Sequence, residues 1–151
     1  MEAVTDLADE DLVDRAADVA FERLGQAGGD PRELGEPFRT VAVFTAAQGV
    51  IDNGGLRHLF ENDWPAQPPY ATFSAAYRTI GANAEADAID AAASLFELEH
   101  PEREAERRDE LLAGPVGARI EALDSEFGSD VWHLLAEYVR AHRAAFDDAK
   151  P

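Results

Sequence analysis

Apolar residues recur along most of this chain every three to four positions, the repeat of an amphipathic helix. Over residues 9–27 the apolar set is Leu12, Val13, Ala16, Ala20 and Leu24. Asp9, Glu10 and Asp11 open that segment, where carboxylates favour the helix dipole. Gly28 and Gly29 close it. Asp30-Pro31 reads as an N-cap followed by proline at the first helical position of a short turn. Residues 38–52 place Phe38, Val41, Phe44, Ala47, Gln48 and Ile51 on one side, and Val43 and Val50 widen the girdle, which predicts a central helix. Asn53-Gly54-Gly55 interrupts the pattern and predicts a helix C-cap that reverses the chain. Leu56, Leu59 and Phe60 then give one or two new helical turns over residues 56–61.

The three prolines of residues 63–69 cannot continue a helix, so this stretch is a loop. Pro69 is expected at the first position of a helix over 70–80, with Tyr70, Phe73, Ala76, Tyr77 and Ile80 inward and Gly81 as its stop. Asn83 is expected to cap a helix over 84–98, with Ala88, Ile89, Ala92, Leu95 and Phe96 inward. Residues 101–112 read as a charged, solvent-facing helix opened by Pro101, with Glu104 and Arg108 as an i,i+4 pair. Gly114-Pro115 breaks it. Residues 116–124 predict a helix burying Ile120 and Leu123, with Phe127 packed beside a Gly128-Ser129 turn. Ser129 or Asp130 caps a last helix over 131–146, with Val131, Leu134, Leu135, Tyr138, Val139, His142 and Phe146 at helical spacing.

No segment shows strand alternation and no internal repeat is evident. The expected fold is therefore all-α: a compact single-domain bundle of six to eight helices spanning residues 1–151. The chain has 151 residues, 46% of them hydrophobic, which suffices for a core. Cysteine is absent, which excludes disulfides, thiolate metal sites and a cysteine nucleophile. The N-terminal stretch is acidic and lacks the apolar run of a secretory leader, and no segment is long and apolar enough to span a membrane. A cytoplasmic location is the expectation.

Charge changes the picture most. The chain carries 31 acids against 13 bases, a net charge of −18, and Lys150 is its only lysine. Such a surface repels nucleic acid and anionic membranes and suits a basic protein surface. Residues 41–82 hold only 3 acids and 2 bases, which points to them as core, whereas residues 1–40 hold 11 acids and 4 bases. Asp14, Asp18 and Glu22 step by four residues, with Asp11 on the same side. Each step rises about 6 Å, close to the distance between successive phosphates on one DNA strand. Like charges at i,i+4 destabilise an isolated helix slightly, so the row is a candidate partner-binding face. The plain alternatives are a solvated helix face, partly neutralised by Arg15, and the acidic, lysine-poor surface of a salt-adapted protein.

A second candidate is Asn53, Gly54, Gly55, His58 and Asn62, either as a polar pocket with His58 as an acid/base or, more simply, as a structural cap. No nucleophile or second carboxylate stands at a telling spacing, and the nucleotide- and hydrolase-type glycine motifs are absent. The four histidines make no metal pair, and the acids of residues 102–110 lack the spacing of a calcium loop. A non-enzymatic chain without cofactor or metal is the expectation.

Asn53-Gly54-Gly55 followed by an apolar residue, Phe60 and Asn62 resembles the signature of the DNA mimic protein 19 family, also called domain of unknown function 4375. Ile80-Gly81-Ala82, Leu95-Phe96, Leu123-Asp124 with Phe127, and Tyr138-Val139 with Phe146 are similar in order and spacing, so the likeness covers about residues 38–146. Leu56 stands where the family usually has Phe, and His58 where Gln is common. The resemblance implies an all-helical, acidic prokaryotic protein, dimeric in some members. In the family's name-giving member surface acids stand in for DNA phosphates on a DNA-binding transcription factor, and the resemblance implies a protein-binding role of that kind. The family's mimic acids lie outside the signature and do not transfer to positions here. A toxin-neutralising, immunity-type protein is a sibling reading, and a small-molecule or enzymatic pocket at Asn53–Asn62 is the rival.

Overall fold

The computed structural model describes residues 8–148; the reading of the N-terminal segment as no leader therefore falls partly on residues outside this range, as does Lys150. The described residues form eight α-helices and no strand. They are α1 (Asp9–Gln26), α2 (Phe38–Glu61), α3 (Tyr70–Thr79), α4 (Asn83–Ser94), α5 (Ala105–Leu112), α6 (Pro115–Ala122), α7 (Val131–Ala141) and α8 (Arg143–Asp148). The expected all-α fold is what the chain adopts.

Helix α2 is the axis of the molecule. Val41, Phe44, Ala47, Leu56, Leu59 and Phe60 are all fully buried along it. It contacts α1, α3, α5 and α6, so residues from four other helices close over its girdle. Phe60 packs between the rings of Tyr70 and Phe96, with centroids 4.6 and 5.4 Å away. Phe44 meets Tyr77 at 4.6 Å and Trp132 edge-on at 5.3 Å. Burial of the Tyr70 phenol pushes its pKa up to about 12. The near-neutral block of sequence does form the core.

Asn53-Gly54-Gly55 ends one helical segment and starts the next, as the pattern predicts. The two segments of α2 meet across a kink at Gly55, whose φ of 79° and ψ of 176° lie in a region open essentially to glycine alone. The kink frees the amide of Leu56, and the Asp124 carboxylate accepts its hydrogen bond at 2.8 Å. A Cβ on Gly55 would stand 3.0 Å from the other Asp124 oxygen. The second half of α2 is thus started by a cap from 68 residues away. Local sequence marks the break in the helix but not this distant partner.

Other element boundaries also differ from those expected. Asn83 is the first residue of α4, so Ala82 takes the cap position and no side chain caps it. That helix ends at Ser94, and Phe96 is buried from the turn that follows. Pro69 precedes α3 instead of starting it. Residues 101–112 divide into a 3₁₀ turn (Pro101–Arg103) and α5. The last helix breaks at His142, which is exposed, while Phe146 on α8 turns back to meet Phe38 at 5.3 Å. Asp130 holds the N-cap position of α7 without a side-chain cap bond.

Residues 101–112 are not simply solvent-facing. Arg108 is only 2% exposed. It donates from Nε to the carbonyl of Phe60 at 2.9 Å, from Nη1 to that of Pro101 at 2.7 Å, and from Nη2 to Asp63 at 2.6 Å. The expected pair with Glu104 is not formed. A guanidinium has five donors in a fixed fork, so one side chain ties α5, the 3₁₀ turn and the end of α2 together.

Candidate acidic interaction face

Asp11, Asp14, Asp18 and Glu22 all lie exposed on one face of α1. The helix is fixed beneath them because Leu12, Ala16 and Ala20 are fully buried against the core. The periodicity that hides one side therefore presents the other as a rigid row. None of the four has a hydrogen-bond or ion-pair partner among the described residues. Phe21, 40% exposed, sits beside the row and is the exposed large hydrophobic residue of the described chain.

Many acids elsewhere are engaged. Four hold backbone amides: Asp30 takes that of Arg32 at 3.0 Å, Glu36 that of Thr40 at 2.9 Å, Glu85 that of Gly128 at 3.0 Å, and Asp124 that of Leu56. Others meet arginines. Arg78 bridges Asp87 and Asp90, both at 2.8 Å, and Arg57 reaches Glu61 at 3.3 Å and Glu121 at 3.2 Å. Part of the negative charge is thus structural, and the row on α1 is part of what remains.

At the start of α1, Asp9 joins α7 through His133 at 2.6 Å and Arg140 at 2.8 Å. The hydrogen bond from His133, then that from Arg140, holds the Asp9 carboxyl below its usual value. The same bond raises the His133 pKa above 6.5. The pair is charged on both sides between those two pKa values. Its contribution to stability is complete below the unfolded histidine value and fades as pH rises through the raised one. On the acid side it fades as pH falls through the lowered Asp9 value. An NMR titration should place the His133 midpoint above 6.5 in the wild type, and Asp9→Asn should move it down. A midpoint unmoved by Asp9→Asn would remove this account.

Asn53, Gly54, Gly55, Phe60 and Asn62 line none of the clefts described among these residues. Asn53 is exposed and Asn62 half-buried, while Phe60 is in the core. His58 stands 3.5 Å from Glu61 on its own helix, its side chain 39% exposed. The open clefts described along the surface are lined by other residues. The clamp on the freed backbone is Asp124, not the motif's own side chains. No group of three or more histidine and acidic side chains is placed to hold a metal among the described residues, and no helix there is long and apolar enough to cross a membrane.

Fold and surface together define an all-helical acidic protein with a kinked central helix and an exposed carboxylate row. A family model described as DMP19-like protein matches residues 32–142, and the chain belongs to that family. No curated protein and no solved structure matches it. The matched region takes in α2 through α7 and the Gly55–Asp124 contact. Helix α1, with the carboxylate row, precedes the matched region.

Proposed function

We propose that this protein binds a basic protein surface, with the DNA-binding face of a regulator as the target. The exposed face of α1 acts there in place of a phosphate strand. The observation that carries the reading is the row Asp11, Asp14, Asp18 and Glu22, unpartnered on a helix whose other side is locked into the core. Family membership supports a DNA-mimic role of this kind. The chemistry is non-covalent and needs no cofactor. Contacts between exposed charges are screened by salt over about 10 Å at 0.1 M ionic strength, so capture should weaken steeply as salt rises.

The test is a variant in which Asp11, Asp14 and Asp18 become Asn and Glu22 becomes Gln. These side chains are exposed, so circular dichroism and melting should stay close to wild type. Capture of a DNA-binding partner from native lysate should fall at least about tenfold, a loss of about 1.4 kcal/mol, and duplex DNA should displace the wild type from that partner. Capture unaffected by the four neutral residues, or indifferent to competing DNA, would defeat the proposal.

A further inference from the structure

A cleft of about 410 Å³ opens between α1 and α7, lined by Asp9, Glu10, Val13, Asp14, Trp132 and His133. Its size falls in the range of sites that bury a small group. Val13 and Trp132 form the apolar part, and carboxylates from α1 form the rim.

The indole is held in place. Trp132 donates its Nε1–H to Asp52 at 2.9 Å. The other Asp52 oxygen accepts from the Gln48 amide at 2.7 Å, and Gln48 in turn accepts from the Tyr77 hydroxyl at 2.7 Å. Phe44 meets the ring edge-on at 5.3 Å. This chain runs from the buried Tyr77 on α3 through α2 to α7. It fixes the ring and occupies its only donor, so what Trp132 offers a ligand is its π face. Charge at the rim is uneven. Asp9 is neutralised by His133 and Arg140. Glu10 and Asp14 are exposed and have no partner among the described residues.

We infer that this cleft receives an arginine side chain of the basic partner, its guanidinium against Trp132 and between the carboxylates of Glu10 and Asp14. The inference rests on the reading of α1 as a partner-binding face and gives that face an anchor. Tryptophan is the strongest cation–π acceptor among the side chains, and arginine is the cation most often found over it. The flat guanidinium also suits paired carboxylates better than an ammonium. Val13 gives the aliphatic stem an apolar surface. Arginine anchors of this kind carry a large share of binding energy in protein interfaces. Asp14 belongs to both the cleft and the row, so an arginine seated here leaves Asp18 and Glu22 free for further cations.

The test uses ¹⁵N-labelled protein at low salt, titrated with the blocked tripeptide Gly-Arg-Gly and its Lys and Gln counterparts. The Trp132 indole N–H and the amides of residues 10–14 should shift saturably with the arginine peptide, while the Trp64 indole stays still. The lysine peptide should bind more weakly and the glutamine peptide should leave the spectrum unchanged. Trp132→Leu should weaken the arginine peptide about tenfold. Glu10→Gln with Asp14→Asn, both on exposed positions, should do the same without depending on how the core tolerates loss of the indole. Shifts confined to residues 18–22 with Trp132 silent would overturn the anchor and leave the partner-binding face standing. No shift on either surface, with no partner captured, would overturn both.

Discussion

Arg108→Ala should lower the free energy of unfolding by about 3–5 kcal/mol, read as the shift of a urea midpoint at constant slope. The reason is what the side chain leaves behind. The carbonyls of Phe60 and Pro101 accept from it in a region where water does not reach the guanidinium. Each orphaned carbonyl costs about 1–3 kcal/mol, and the emptied volume adds a cavity term. Arg108→Lys should recover less than half the loss, because an ammonium cannot reach three acceptors in the geometry of the fork. Asp63→Asn, in contrast, should cost less than about 1 kcal/mol. The ion pair is short, but the Asp63 side chain is 77% exposed, and the amide oxygen of the replacement still accepts from Nη2. The ranking is the test. An Asp63→Asn loss equal to that of Arg108→Ala would mean that the ion pair, and not the two carbonyls, is the source of stability.

Gly55→Ala should destabilise the protein by roughly 2–4 kcal/mol. A residue with a Cβ is strained at a φ of 79° and ψ of 176°. That Cβ would also crowd the Asp124 carboxylate at 3.0 Å and disturb the cap on Leu56. Asp124→Ala removes the cap alone and should cost about 1–2 kcal/mol, the range for a lost N-cap. The two losses should fall short of additive, since both act on the same contact. Gly49→Ala supplies the control. It lies on the regular, exposed part of the same helix with nothing within 4 Å of the added methyl. It should stabilise by roughly 0.5–1 kcal/mol. Equal effects at positions 49 and 55 would show that the kink carries no strain and has no special need for glycine.

The apolar spacing of Val41, Phe44, Ala47 and Ile51 was enough to identify the central helix, and that of Leu12, Ala16 and Ala20 to place α1 with its acids outward. Both rest on a repeat of 3.6 residues, which is a local property of the chain. The same locality limits the reading at residues 101–112. There a run of charges looks like a solvated helix, and nothing in the sequence marks one arginine among three as buried. A pairing weighed only along a helix also misses Asp63, 45 residues away.

Sequence by itself therefore determined the helical class, the charge, the central place of residues 38–52 and the direction in which Asp11, Asp14, Asp18 and Glu22 point. Each follows from composition or from neighbours within a few turns. Tertiary structure decided which acids are occupied, that Asp124 caps the kink at Gly55, that Arg108 turns inward, and that Trp132 comes to lie beside Glu10 and Asp14. These depend on groups far apart in the chain meeting in space, at Arg108 where water is excluded. There the need to satisfy every buried donor and acceptor outweighs local preference.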